Sequence, residues 1–391
     1  MMEPRMTSLP RPFFEAEHVT FRDQVRRFCE NEIAPKHAQW EQAHGVPLDV
    51  WKKAGENGLL CCWVSEEDGG PGADLLCDVI VAEELCRLGA TGPGFNLHSL
   101  VVAPYIVHFG TPTIKQKVLP HMVSGDWVGS IAMTEPGAGS DLASIRTRAT
   151  RDGDDWVING QKTFITNGQN AHVIVVAAQT DDVHGNTGIS MFVVTADMPG
   201  FSRGRNLHKI GQHAQDTAEL FFENVRVPAD HLLGEVNKGF RYMMQELPQE
   251  RLCISINCQA RAEAAFEWTQ TYVKERKAFK QRIADFQNTR FKLASLWADL
   301  QAGRALCDSM IQRHLKGELD SVGASAGKLW HSELLDRVTD ECLQLHGGYG
   351  YMQEYPIARA FVDARIERIY AGTSEIMKEI IARAICDEPR K

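Results

Sequence analysis

With 391 residues, the chain has room for two to three domains at roughly 150 residues each, and it can bury large cores without staples. Acidic residues outnumber basic ones, 51 to 42, for a net charge of −9, which argues against a nucleic-acid partner because phosphate binding wants a basic face. Hydrophobic residues at 43% and charged ones at 24% exclude a largely disordered chain.

Met1–Pro12 carries no apolar run of the kind a secretory signal needs, and its shortness and Glu3 count against a transit peptide. From Phe13 to about Gly125 the texture is helical. Phe21, Val25 and Phe28 recur at i, i+4 and i+7 and share one helix face, which Pro35 is placed to end. Gly69-Gly70-Pro71-Gly72 is a loop, and a further helical run carries Leu75, Val79 and Leu85. The polar run Thr113 to Lys117 is expected to lead into one more short helix. From Trp127 to Val227 the texture turns to β. Trp127 to Met133 reads as a strand, and Arg146 to Arg151 with Trp156 to Ile158 reads as a hairpin about Asp152-Gly153. Ala171–Ala178, Ser190–Thr195 and Ala218–Val227 follow as strands. No long helices separate them, so an antiparallel barrel or sandwich fits better than a Rossmann sheet. Long helices return from about Asn237 to the end, with Cys258–Lys277, Asn288–Leu315 and Ser321–Leu345 each well beyond three turns, as in a bundle. The expected domains are residues 1–125, 126–236 and 237–391.

No stretch reaches the ~18 apolar residues of a membrane span. The ten cysteines show no C-x-x-C, and there is no H-E-x-x-H, so reduced thiols in a cytoplasmic setting and no metal site are expected. His98, His108, His121 and His346 sit among apolar residues and read as core or pocket histidines.

Five segments could carry chemistry. In Met133-Thr134-Glu135-Pro136-Gly137-Ala138-Gly139-Ser140-Asp141, glycines let backbone N–H groups face a ligand while Thr134 and Ser140 offer hydroxyls. In Asn159 to Gly168, Phe164 and Thr166 would share a face if extended, an aromatic wall beside a hydroxyl that suits a flat heteroaromatic ring. The plain reading of both is a turn between strands. Gln344 to Tyr351 holds glycines that stop a helix or admit a ligand to the backbone, but not G-x-G-x-x-G. Thr373 could cap the last helix, either as an ordinary cap or with its amides facing an anion. Glu246 and Glu250, four apart, lie on one helix face, either as a solvated charged face or with one of them as a general base.

Together these segments resemble the acyl-CoA dehydrogenase family over about residues 13 to 387. The resemblance is carried by the motifs at 133–141 and 159–168, by Glu275-Arg276-Lys277-Ala278-Phe279, and by Leu345-His346-Gly347-Gly348-Tyr349-Gly350. It implies an α+β multidomain fold with a helical N-terminal domain, a middle antiparallel β-domain and a C-terminal four-helix bundle. It also implies bound FAD and a homotetramer built as a dimer of dimers. On the family pattern Met133, Thr134, Gly139 and Ser140 would touch the flavin, and Phe164, Ile165 and Thr166 would cover it and reach its reactive edge. Arg276 and Phe279 would reach the FAD of a neighbouring subunit, with Phe286, Gln287, Gln344, Gly347 and Gly348 at its adenosine end. Thr373 and Glu375 would return to the cofactor. Ser140, Arg241, Pro248, Arg251 and Gly372 would face the acyl-CoA.

Many members carry their base as the Glu of Tyr-Glu-Gly-Thr, but this chain has Tyr370-Ala371-Gly372-Thr373. The long-chain and isovaleryl branches place the Glu in a Glu-Arg-Leu context, here Glu250-Arg251-Leu252. The resemblance therefore makes Glu250 the catalytic base and leaves the backbone N–H of Ala371 as the oxyanion donor, a kind of group typically worth ~3 kcal/mol. Glu246 to Arg251, Ala214 to Phe222 and Gln353 to Ala358 look closest to the long-chain branch, while Arg241 departs from the Tyr of that pattern. The implied reaction is α,β-dehydrogenation of a medium- or long-chain acyl-CoA to trans-2-enoyl-CoA in fatty-acid β-oxidation, with electrons passed to an electron-transfer flavoprotein. The alternatives are a branched short-chain (isovaleryl-type) dehydrogenase, an acyl-CoA oxidase and a non-catalytic flavin or acyl-CoA scaffold.

Overall fold

A computed structural model describes residues 10–180 and 188–387. Most of the segment Met1–Pro12, from which the lack of a signal sequence was read, lies outside the described residues. In chain order the helices α1 (Ala16–Phe28), α2 (His37–Ala43), α3 (Leu48–Glu56) and α4 (Leu75–Arg87) come first. A broken helix follows as α5 (Phe95–Leu97), a wide turn, and α6 (Ala103–Phe109), and then α7 (Pro112–Val123). The strands are β1 (Val128–Ala132), β2 (Arg148–Asp152), β3 (Asp155–Thr166), β4 (Ala171–Gln179), β5 (Ile189–Thr195), β6 (Phe201–Asn206), β7 (Thr217–Val227) and β8 (Leu232–Leu233). Helix α8 (Gly239–Glu275), a small ribbon of β9 (Lys277–Ala278) and β10 (Gln281–Arg282), α9 (Gln287–Leu315), α10 (Ser321–His346), α11 (Pro356–Ala364) and α12 (Ser374–Cys386) complete the chain.

These elements form two compact units. The bundle unit comprises the described parts of Met1–Cys29, Ala82–Ala90 and Pro248–Lys391, and the sheet unit comprises Glu30–Val81 and Thr91–Leu247. The textures along the sequence and the compact units thus cut the chain differently, since the N-terminal helices are shared out between the two.

In the sheet unit the strand order is β6-β7-β3-β2-β4-β5-β8, with β1 pairing β4. Most pairs are antiparallel, but β1 runs parallel to β4, and Arg148 of β2 meets Gln179 of β4 in parallel. Strand β4 explains itself by period two. Val173, Val175 and Ala177 join one core with Tyr105, Ile106 and Val118, while Ile174, Val176 and Ala178 join another with Phe192, Leu220 and Phe222. A strand buried on both faces must be apolar at every position, which is why Val-Ile-Val-Val shows no alternation.

In the bundle unit, α8 contributes Cys258, Ala262 and Phe266, α9 contributes Leu296 and Leu300, and α10 contributes Leu334, Leu335 and Val338 to one core. Glu83 of α4 is buried there against the guanidinium groups of Arg11 at 2.9 Å and Arg304 at 2.8 Å, which hold its carboxyl well below the usual range despite burial.

Several local expectations change. The run Thr113 to Lys117 already belongs to α7, whose start is capped by Thr111 accepting from the Ile114 N–H at 3.2 Å. Helix α8 begins at Gly239, close to where the helical texture returns, runs unbroken through Cys258 to Glu275 and holds Pro248 inside it. Among the described residues no helix is long and apolar enough to cross a membrane.

Candidate functional site

In the sheet unit, β1 ends at Ala132 and the chain turns through Met133–Ser140. Glu135 and Ala138 close this turn with reciprocal backbone hydrogen bonds of 3.0 and 3.1 Å. A Cβ placed on Gly137 or Gly139 would meet nothing within 4 Å, and Gly139 and Ser140 are exposed. Beneath the loop lies Lys162 of β3, with a fully buried side chain. Its Nζ donates to the Met133 carbonyl at 2.9 Å and to Glu135 Oε1 at 2.8 Å. Glu135 also accepts from the backbone N–H groups of Arg146 at 2.6 Å and Thr147 at 2.9 Å. Burial pushes the Lys162 ammonium down to about 8 although Glu135 pulls the other way. For Glu135 burial favours the protonated acid, but Lys162 and its other donors outweigh this and leave it below the usual carboxylate range. The Thr163 N–H donates to the Thr134 carbonyl at 3.0 Å, so the first two predicted motifs meet edge to edge.

The second motif is mostly strand, since β3 runs through Thr166 rather than turning. Its alternation is nonetheless broken. The pairing with β7 shifts register between Lys162 and Ile165, and Phe164 adopts φ +60°. A bulge of this kind re-aims a side chain. Phe164 is 67% exposed, Ile165 is buried and Thr166 is half-buried. Phe164 and Thr166 are both less buried than Ile165 between them, with Phe164 in left-handed rather than extended backbone.

In the bundle unit, Glu250 and Arg251 are buried, 8% and 3% exposed, which replaces the solvated-face reading. Arg251 Nη1 donates to the hydroxyls of Ser321 and Ser325, each at 3.1 Å, while its Nε is buried without a partner. Burial lowers the Arg251 pKa, with Glu250 acting against that shift. A Cβ on Gly372 would lie 3.9 Å from Arg251 Nη2, so α8 packs at this point against the turn at 371–372. Ala371 has φ +51° and Gly372 φ +93°. Thr373 then caps α12 by accepting from the Ile376 N–H at 3.3 Å, and Glu375 is exposed in the first turn. Lys328 of α10 reaches the Gly372 carbonyl at 2.6 Å.

Also in the bundle unit, a cavity of about 700 Å³ is lined by Arg276, Gln344, Gly347 and Gly348 together with Tyr272 and Tyr349. The Arg276 guanidinium stands 5.1 Å from the centre of the Tyr349 ring, and no carboxylate among the described residues lies within ion-pair distance of it. Gly347 ends α10 with φ +59°, and neither Gly347 nor Gly348 has an atom within 4 Å of a would-be Cβ. Phe279 is 91% exposed, with its ring edge-on to Phe286 at 6.3 Å, and Gln287 opens α9 in an exposed position.

In the sheet unit Arg241 is exposed at the start of α8, and Glu246 is buried with Oε1 2.8 Å from His108 Nδ1. Pro248, in the bundle unit, is half-buried. The histidines read as core or pocket residues divide. His98 is buried with its Nε2 3.0 Å from the Met122 carbonyl and its Nδ1 accepting from the Gly129 N–H at 2.9 Å. His346 is buried with its Nδ1 2.8 Å from the Cys342 carbonyl. His121 is exposed and stacks on Trp127.

Within each unit the groups suit part of a flavin dinucleotide. In the sheet unit, glycines open at 137 and 139 lie on the loop that Thr163 of β3 joins, next to the exposed Phe164 ring. In the bundle unit, a guanidinium with no carboxylate among the described residues in ion-pair distance borders the cavity at 347–348. The sequence reading missed Lys162 and Lys328. Lys328 stands among small and apolar neighbours, a signal that gains meaning only with its partner, whereas Lys162 in the polar run Asn159–Thr163 gave none.

Family models cover nearly the whole chain: "Acyl-CoA dehydrogenase, N-terminal domain" over residues 15–126, the middle domain over 130–225 and the C-terminal domain over 237–386. The mitochondrial long-chain specific acyl-CoA dehydrogenase of Mus musculus is 52% identical over 97% of this chain and 88% of its own length. The crystal structure of an acyl-CoA dehydrogenase from Geobacillus kaustophilus superposes with a TM-score of 0.94 at 48% identity, covering 96% of this chain and all of that one. A glutaryl-CoA dehydrogenase from Mycobacterium smegmatis, solved in complex with FADH2, gives a TM-score of 0.88 at 29% identity over 97% of each chain.

Proposed function

The chain belongs to the acyl-CoA dehydrogenase family, and from that premise we propose that Glu250 is its catalytic base and that its substrates are medium- to long-chain acyl-CoA thioesters. The family is one of FAD-dependent oxidoreductases, so the reaction class and the cofactor follow from membership. The observation that carries the assignment of the base is local. Position 371 holds a methyl group, whereas the buried Glu250-Arg251 step packs against that same turn.

FAD, when bound, supplies the acceptor for the β-hydrogen, which leaves as hydride. Glu250 takes the α-proton onto its carboxylate. As that proton leaves, negative charge builds on the thioester oxygen, and the Ala371 backbone N–H stabilises it. The alanine substitution removes a carboxylate but keeps this amide. Burial of Glu250 and Arg251 keeps water from competing for the proton. Met133, Thr134, Gly139, Ser140, Phe164, Ile165 and Thr166 would hold the ring system, and Thr373 and Glu375 would close on it. Arg276, Phe279, Phe286, Gln287, Gln344, Gly347 and Gly348 would serve the pyrophosphate and adenosine of a neighbouring subunit's cofactor. Ser140, Arg241, Pro248, Arg251 and Gly372 would contact the acyl-CoA.

A homotetramer is supported by the large apolar groups that one chain leaves exposed, Phe279 at 91%, Phe291 at 63% and Tyr351 at 83%. All ten cysteines are free, which supports a reducing, cytoplasmic setting. An electron-transfer flavoprotein is the proposed electron acceptor, and a peroxide assay in aerobic turnover tests it against oxygen: no peroxide is expected, and its release would make the protein an oxidase. The deciding experiment is Glu250→Gln. It should keep its yellow flavin and bind acyl-CoA, yet lose bleaching of the flavin by about 10³-fold or more, at the upper end of what a general base contributes. Bleaching at the wild-type rate would move the base elsewhere.

A further inference from the structure

Lys328 has no exposure, and its Nζ donates to the Gly372 carbonyl at 2.6 Å. A buried ammonium is normally paired with a carboxylate. Among the described residues none lies within ion-pair distance of this one, and the nearby Glu367 is engaged by Arg261. Burial lowers the Lys328 pKa, opposed by the more distant Cys258 and Glu367, while the positive Arg251 pushes the same way as burial.

The carbonyl that Lys328 grips belongs to a turn the backbone does not favour. Ala371 sits at φ +51°, where an L-residue crowds its own Cβ, and Gly372 follows at φ +93°. A conformation of this kind persists only where its surroundings over-determine it. The surroundings are tight on two sides. A Cβ on Gly372 would collide with Met377 Cε at 2.6 Å, and the Thr373 hydroxyl is committed to the Ile376 N–H. Lys328 adds a third restraint by holding the Gly372 carbonyl.

We infer that Lys328 is a positioning residue for the oxyanion donor: by holding the Gly372 carbonyl it anchors the left-handed turn at 371–372 from which the Ala371 N–H meets the thioester oxygen. The inference rests on the reading of Ala371 as that donor. The clamp also places a positive charge, with no carboxylate in contact to neutralise it, at the turn where negative charge develops. Lys328 touches neither reacting atoms nor cofactor in this account and acts only through the turn.

The test compares wild type, Lys328→Met, Lys328→Arg and Glu250→Gln as FAD-loaded enzymes. Turnover is read with an artificial electron acceptor, and affinity is read for an acyl-CoA thioester against its thioether analogue, which lacks the carbonyl oxygen. Lys328→Met should retain FAD and lower kcat by about a hundredfold, as expected for a misplaced catalytic group. Its KM should stay within about threefold of wild type, the pattern of a group acting in the transition state. It should also bind thioester and thioether alike, and Lys328→Arg should restore most of kcat. A Lys328→Met enzyme with near-wild-type kcat and intact discrimination overturns the inference. So does a loss of kcat accompanied by an equal loss of FAD, which marks a merely structural lysine. If Lys328→Met does not fold, Lys328→Leu, which likewise removes the donor, is judged on the same readouts. Wild-type protein that fails to distinguish thioester from thioether overturns the oxyanion reading itself, and near-wild-type turnover by Glu250→Gln overturns the base, whatever the lysine does.

Discussion

The two units use one device in two electrostatic settings. In the sheet unit, Phe164 stands at φ +60° two residues after Lys162, whose ammonium holds the Met133 carbonyl. In the bundle unit, Ala371 stands at φ +51° beside Gly372, whose carbonyl is held by Lys328. The difference lies in the counter-charge. Lys162 shares its proton donors with Glu135 at 2.8 Å, so its loop is locked at little net local charge. Lys328 donates to a carbonyl, and no carboxylate among the described residues lies within ion-pair distance of it. A closed ion pair suits a loop that has only to hold its shape. A cation without a carboxylate in contact suits the proposed role of the second turn, where the developing oxyanion would lie.

This contrast can be broken by mutation. The largest expected effect on stability is Lys162→Met, which strands Glu135 as a buried carboxylate and should lower the unfolding free energy by about 3–5 kcal/mol in a urea titration. Adding Glu135→Gln to the same chain should recover part of that loss. Lys328→Met, by contrast, removes a buried cation without stranding an acid, and should shift stability by less than about 2 kcal/mol, the scale of one unsatisfied carbonyl. Equal losses at the two sites would erase the distinction.

The pH dependence sharpens the same point. The folded-state pKa of Lys162 is lowered from 10.5 to about 8 by burial, against the pull of Glu135. Between those values the unfolded chain still holds a proton that the folded chain has released, so this group makes unfolding harder as pH rises. The slope is about 1.4 kcal/mol per pH unit at most. The stability of wild type relative to Lys162→Met should therefore climb from about pH 8 to 10.5, and a flat difference would contradict the lowered pKa.

Smaller effects test the cap and the cavity. Thr373→Ala removes the acceptor for the Ile376 N–H and should cost about 1 kcal/mol of stability. Gly348→Ala should be tolerated within about 0.5 kcal/mol, because its added methyl meets open space. A drop in FAD retained through gel filtration by that variant would report a cofactor lying in that space. Unchanged retention would remove Gly348 from the cofactor site.

Much of this was legible in the sequence because it depends on local chemistry. The unbroken apolar run of β4 announces a strand buried on both faces, Thr373 announces a cap, and Gly347 announces a helix end. The alanine at 371 already excluded that position as the base. The burial along the first turns of α8 was hidden, because Glu246 to Arg251 is polar enough to pass for a solvated face, and only packing showed Glu246, Glu250 and Arg251 to be buried.

The sequence by itself determined the order of helical and β textures, the four motifs that carry the family resemblance, and the absence of a carboxylate at 371. Those depend on residue type and on neighbours a few positions away. Only the tertiary structure decided what the two buried lysines hold. Their partners lie 29 and 44 residues off along the chain, and a buried charge gains its meaning from whatever desolvated group folding brings against it. The left-handed backbone at Phe164 and Ala371 was decided the same way. Neither residue prefers that conformation, so it is imposed by the packing and hydrogen bonds around it.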